Sequence, residues 1–451
     1  MKNIGSKFLK RIGIIFSIAP LPLIAISCKK PNNGNNSNNN QNDSNGNSEQ
    51  SEAIKIDISE FKNKIEPKNN WQTKDILGAL QKQNGLEKIS EADFEFSIKK
   101  ANLLKDGSLV IKAKDNSEII KGQLNLTIKK LTKLEKVETQ YNADKTEVLV
   151  IGYNEKGKIS RFEQSVKKVP KVLPEEITNL DDAFVNNKSE KIENIDKWDT
   201  SNIQSMSAMF QNAVNFNQDL QSWNTENVKD MSLMFTGAKK FNGNISNWNT
   251  GNVKNMQSMF DGANVFNSDI SDWNTVNVSN MKKMFMNAAQ FNQNISKWNL
   301  KNIKSIDSMF YGASNFDSEV FKLDNNQVTD LSYMFYMASK FNKPLKDWNV
   351  SKVKNMSHMF SNAKVFNQDI TKWDVSSVES MRNMFSETDA FSQNIKDWDV
   401  KKVTNMDQMF FKALSFDKNI SNWSVEKVES YKEFSQHLNK ELQPKFIEKR
   451  Q

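Results

Sequence analysis

Cys28 is the only thiol in the chain, which excludes an internal disulfide and a multi-thiolate metal cage. There are only two histidines, His358 and His437, far apart in sequence. Ser, Asp and Glu are plentiful but form no nucleophile motif, phosphate loop or zinc signature. Catalytic residues, cofactor-binding residues and metal ligands are therefore all read as none, and the chain is read as a non-enzyme without a cofactor. Arginine is scarce, at four residues, and lysine is interspersed with acidic residues. The basic stripe or motif of a nucleic-acid-binding protein is missing. Beyond one apolar run near the N-terminus, no segment is long and apolar enough to cross a bilayer.

That run, Ile12–Ser27, follows Lys2, Lys7, Lys10 and Arg11 and is short for a membrane-spanning helix. It ends in Ala25-Ile26-Ser27-Cys28, which resembles a bacterial lipobox. Residues 1–27 are read as a lipoprotein signal peptide cleaved between Ser27 and Cys28, with diacylglycerol (palmitate-type acyl chains) on the Cys28 sulfur. Two acyl chains suffice for stable anchoring. The alternative is an uncleaved anchor helix with an incidental cysteine. Cleavage removes four positive charges and no negative ones, so the formal charge of +8 becomes +4, and the mixed surface that remains is a solvation device.

Residues 28–52 hold the lipidated cysteine and an Asn/Ser-rich stretch without aromatic or branched apolar residues. Such a stretch cannot build a core, and as a flexible tether it reaches roughly 25–30 Å. Residues 53–132 read as a small α+β domain. Thr73 can cap a helix carrying Ile76, Leu77 and Leu80. Leu109, Ile111 and Ala113, then Leu124, Leu126 and Ile128, alternate with polar residues as strands do. A hairpin-rich connector occupies 133–175, with a turn at Tyr153–Gly157.

From 176 to 446 the chain is a repeat. Trp198, Trp223, Trp248, Trp273, Trp298, Trp348, Trp373, Trp398 and Trp423 recur every 25 residues, with Leu323 in the one gap. Phe210, Phe235, Phe260, Phe285, Phe310, Phe335, Phe360, Phe385 and Phe410 keep step with them. Self-similarity at such a period is the signature of a stacked array. Met231, Met234, Phe235 and Ala238 lie at i, i+3, i+4 and i+7, one face of a short helix. Leu220, Ile245, Ile270 and their copies are lone apolar anchors in a polar segment, which suits a short strand. Each coil is thus expected to be strand, turn and short helix, with its aromatics buried between copies above and below. The fold class is an α/β solenoid of about ten 25-residue coils behind a small α+β domain. Leu180, Phe184, Ile192 and Ile195 sketch an entry cap. Val428, Tyr431, Phe434 and Leu438, with Lys440, Glu441, Lys445 and Lys449, predict a charged closing helix before the 447–451 tail.

The units Trp-Asn-Thr-x-Asn-Val-x-x-Met-x-x-Met-Phe-x-x-Ala-x-x-Phe-Asn resemble the repeats of BspA-like leucine-rich-repeat surface lipoproteins of mycoplasmas and some gut and oral bacteria. The resemblance covers roughly 270 residues in some ten copies. Tyr141–Trp198 also resembles the leader that precedes such repeats in mycoplasma lipoproteins. It implies a right-handed, leucine-rich-repeat-like solenoid on the outer surface of a cell membrane, with binding or adhesion roles and no enzymatic activity. The coil at 316–335 departs from the pattern, with Leu323 for Trp, Leu331 for Met and Asp324 where most coils have Asn. A local kink or shallow groove is expected there.

The tryptophan and phenylalanine series are read as core, against an exposed sugar-stacking platform, and the methionines as gap-fillers. Two Asn columns (Asn217 to Asn367, and Asn224 to Asn349) are read as turn caps bonding the neighbouring coil, against calcium sites, which want more carboxylates. His358 takes a slot held by Ser258, Ser308 and Gln408 and is read as an exposed coil residue. Val214/Asn215, Lys239/Lys240 and Asn264/Val265 vary most in chemistry, which makes them candidates for partner specificity. The function expected is a lipid-anchored surface scaffold that binds host protein or matrix ligands. The alternatives are a structural or antigenic surface coat, and a ligand-binding component of a transport or enzyme complex acting through residues 53–132. Oligomeric state is left open.

Overall fold

The computed structural model describes residues 54–324 and 327–447. Cys28, the signal peptide, the tether and Lys449 lie outside the described residues.

The first elements form around a compact core of their own. Strand β1 (Ile56–Asp57) pairs in parallel with β4 (Ile120–Lys121). Strands β2 (Phe94–Lys99), β3 (Gly107–Ala113) and β5 (Gln123–Ile128) make an antiparallel sheet in the order β2-β3-β5. Its inward residues follow the period of two read from the sequence: Leu109 faces Leu126 and Ile111 faces Leu124 across β3 and β5. Helix α1 (Thr73–Gln81) buries Ile76 and Leu80 in the same core. Its cap lies one residue earlier than expected, where the Asp75 carboxylate accepts the Gln72 N–H at 2.9 Å. Strands β6 (Gln140–Tyr141) and β7 (Val148–Val150) follow as an antiparallel pair.

From Val148 to Leu438 a second core runs without interruption. Single parallel bridges connect each coil to the next, as in Asn179–Ser205, Ser205–Asp230, Asp230–Asn255 and Asn255–Asn280. Phe210 through Phe410 stack in register, with neighbouring ring centroids 5.5–5.7 Å apart. A second phenylalanine column, Phe216 through Phe416, stands beside the first; within one coil Phe235 and Phe241 stack at 3.8 Å.

The expected helix in each coil is not there. Among the described residues α1 is the only α-helix, and no named strand follows β7. The Met–Met–Phe–Ala segment is a run of turns with a division of labour along the backbone. Met231, Leu233, Phe235 and Gly237 donate their N–H groups to carbonyls 24 residues ahead, while Met234, Thr236 and Ala238 close turns within the coil. Leu233 and Gly237 have positive φ, as do their copies at Ser258 and Gly262, Lys283 and Asn287, and His358 and Asn362. The physical reason is the pitch. Coils whose rings stack under 6 Å apart cannot carry helices side by side, because packed helix axes need about 8–10 Å. A helix would also spend its N–H groups internally, whereas here half of them must tie one coil to the next.

The closing helix is likewise replaced, by an irregular segment with one short 3-10 turn at Lys440–Leu442. Phe434 meets Phe410 edge-on at 82°, ending the parallel stack. Phe446 covers it by stacking on Tyr431, and the Leu442 carbonyl accepts the Ile420 N–H.

Candidate binding face

The tryptophans and phenylalanines of the two 25-residue series do not line a surface. The nine tryptophans are at most 5% exposed and the nine phenylalanines 0%. Each array tryptophan also donates its indole N–H to a backbone carbonyl of the preceding coil, as from Trp223 to Ile195 (3.0 Å), Trp248 to Leu220 (2.9 Å) and Trp373 to Leu345 (3.0 Å). The same bond runs from Trp198, Trp273, Trp298, Trp348, Trp398 and Trp423. The polar half of every indole is thereby satisfied inside the wall.

In the atypical coil the expected groove is filled. Leu323 is fully buried, and Phe321, at a position that is Ser246, Ser271 or Ser296 elsewhere, turns inward to 1% exposure. Its ring stacks on Trp348 at 5.6 Å and 11°, and the Trp348 indole bonds the Phe321 carbonyl. Asn325 and Asn326 lie outside the described residues.

The Asn columns bind the chain to itself. The Asn217 side-chain oxygen accepts the Asn242 N–H, Asn242 accepts that of Asn267, and Asn267 that of Asn292, at 2.8–2.9 Å. Asn224, Asn249, Asn274, Asn299 and Asn349 each accept the N–H two residues on. Among the described residues no group of three or more His, Cys, Asp or Glu is arranged to hold a metal ion.

A group of aromatic side chains reaches solvent from the run of turns. Tyr311, Tyr333 and Tyr336, half of the chain's six tyrosines, form a stacked group with His358. Tyr333 lies on His358 at 4.4 Å and 8°, and Tyr311 on Tyr336 at 4.6 Å. Tyr336 presents edges to Tyr333 and His358 at 5.6 and 6.0 Å. All four are partly exposed, and Met337 beside them is 44% exposed. His358 is therefore not the plain exposed residue expected. It is half-buried, its Nδ1 has no hydrogen-bond partner, and burial, with Arg382 adding to it, lowers its pKa to about 4. Burial first, then the neighbouring tyrosines and Glu387, raises the Tyr336 pKa. At neutral pH His358 and Tyr336 are therefore uncharged. His437 is exposed.

Elsewhere on the same columns the side chains change freely: Leu233, Lys283, Asp261 and Phe411 take equivalent outward places. Burial pushes the Asp261 carboxyl up to about 6 against the pull of Lys283 and a hydrogen bond from Ser258. Val214, Lys239, Lys240, Asn264 and Val265 are also exposed.

The family described as "Mycoplasma protein of unknown function, DUF285" matches residues 178–298, 280–397 and 343–445. The chain belongs to this family. The three overlapping matches span well over half of its 451 residues, and they lie on the stacked coils. No curated protein and no solved structure matches the chain. In this DUF285 member the regular positions of the chain's own repeat form the inner wall, and the Tyr–His group sits on positions whose residue type varies from coil to coil. No helix among the described residues is long and apolar enough to cross a membrane.

Proposed function

We propose that this chain is a lipid-anchored outer-surface protein of the BspA-like kind, held to the membrane through Cys28, whose solenoid binds a host macromolecule through the Tyr311/Tyr333/Tyr336/His358 face. The observation that carries the reading is the outward aromatic group. Partly exposed tyrosines are large, stiff, amphipathic contact residues of the kind that dominate protein interfaces. These four rings already stack on one another, so little side-chain entropy remains to be lost on binding. The frame beneath them is a regular wall of stacked, mutually hydrogen-bonded coils, which suits display.

Replacing Tyr311, Tyr333 and Tyr336 together by Ser should weaken saturable binding of the full chain to host epithelial cells or matrix proteins at least tenfold, with the thermal midpoint little changed. Cys28→Ser should abolish incorporation of labelled fatty acid; persistent labelling would refute the anchor. A surface coat without a defined ligand is the second reading. It is favoured by the chemical scatter of exposed positions such as Val214, Lys240 and Val265, and under it the tyrosine replacements change nothing in attachment.

A further inference from the structure

The tenth tryptophan, Trp71, stands outside the array and differs from the other nine. Its indole N–H has no hydrogen-bond partner among the described residues, and its ring is half-buried against the core of the first domain. It forms one wall of a cleft of about 420 Å³ along the outer side of α1, within the size range of small-ligand sites. The floor is open at Gly78, where a Cβ would meet nothing within 4 Å. Lys64, Lys74 and Lys82 line the cleft, and none of the three is ion-paired to a carboxylate among the described residues. Glu66 and Asp75 are its acids, and one Asp75 oxygen is already engaged by the Gln72 N–H. Gln83 at the rim has its Nε2 donated to the Ala79 carbonyl, leaving its side-chain oxygen free to accept.

We propose that this cleft binds an anionic oligosaccharide, one sugar ring lying on the Trp71 indole and its sulfate or carboxylate groups held by Lys64, Lys74 and Lys82. The chemistry of each part fits that class. The indole face is electron-rich and attracts the positively polarised C–H face of a pyranose, while the unpaired indole N–H donates to a hydroxyl. Glu66 and the Gln83 oxygen accept from sugar hydroxyls. Three lysines on flexible stems supply point charges, each with three donors that can meet the oxygens of a sulfate or carboxylate. A single aromatic wall without a second ring opposite is a poorer fit to a nucleobase, which gains from stacking on both faces. The site lies in a different core from the tyrosine face and does not depend on it.

Calorimetric titration of the purified full chain with a heparin hexasaccharide tests the proposal, with maltohexaose and ATP in parallel. Saturable heparin binding is expected, weakened at least tenfold in Trp71→Ala, largely kept in Trp71→Phe, and weakened at least tenfold in the surface variant Lys74→Gln/Lys82→Gln. Binding should fall as salt is raised, and the triple tyrosine variant should bind as the parent does. Absence of saturable binding at millimolar hexasaccharide, equal affinity in the lysine variant, or equal or tighter binding of maltohexaose or ATP would overturn it.

Discussion

Phe321 turns its ring under Trp348 at a position where other coils carry an exposed serine, and two places on Leu323 stands in the tryptophan column. The two departures offset each other: one aromatic ring leaves the column and another enters beside it. Phe321→Ser alone should cost about 3–5 kcal/mol, the usual result of emptying a buried aromatic site. Adding Leu323→Trp restores the Ser–x–Trp pattern of Ser246 and Trp248 and should recover most of that loss, a coupling that a denaturation double-mutant cycle reads directly. Two titrating groups on the outer face pull in opposite directions. Asp261, with its pKa raised to about 6, favours the folded state while protonated, and that stabilisation is lost as pH rises from about 4 through 6. His358, lowered to about 4, favours the folded state while neutral, and its contribution is lost as pH falls from about 6.5 through 4. Thermal midpoints followed across pH 4–7 should show Asp261→Asn removing the first slope and His358→Gln the second. A parent-like profile in either variant would mean that the group is not buried as described.

The coil itself was only half legible in the sequence. Which residues face inward was plain, because Met231, Met234, Phe235 and Ala238 recur at fixed places. Their spacing fits a helix, yet a run of turns satisfies it equally well. The deciding signal lay at the place two residues past the phenylalanine. Asn212, Gly237, Gly262, Asn287, Gly312 and Asn362 all fall there with positive φ, and these residue types tolerate that conformation best. A residue type that favours left-handed backbone, repeated in the middle of a supposed helix, argues against it. Tyr311 and Tyr336, and Tyr333 and His358, are likewise 25 residues apart, but on a helix surface they would have been ordinary exposed residues. Strands β3 and β5 of the first domain were legible from alternation alone; β2, whose Phe94-Glu95-Phe96-Ser97-Ile98 carries the same period, was not read, and the two-residue β1 and β4 are too short to show a period. Because every coil bonds its neighbours at fixed offsets, one residue inserted between Ala263 and Asn264 should disrupt packing of the following coils. Removing the whole coil 241–265 should leave a shorter, cooperative array. Near-ultraviolet circular dichroism and thermal melting of the two variants separate these outcomes, and equal tolerance of both would contradict the register described.

At the scale of the molecule the array is one-dimensional, so its stability is close to a sum of coil and interface contributions. The two ends differ from the middle. Phe184 continues the stack at 5.4 Å, but Phe162 before it is tilted by 55°. At the far end Phe434 is turned edge-on and residues 439–447 cover the last coil. The two halves also differ chemically. Thr200, Thr225, Thr250 and Thr275 send buried hydroxyls to carbonyls of the following coil, whereas Val350, Val375, Val400 and Val425 fill that column later. The Tyr–His group sits in the second half, on a frame whose inner positions scarcely change. The repeating aromatics build the wall, and under the proposed function the tyrosines outside it bind the ligand. Binding of the full chain to host epithelial cells, compared between the parent and the Tyr311→Ser/Tyr333→Ser/Tyr336→Ser variant at matched thermal stability, tests it most directly. The account predicts at least a tenfold loss of saturable binding in the variant; undiminished binding by a folded variant would contradict it.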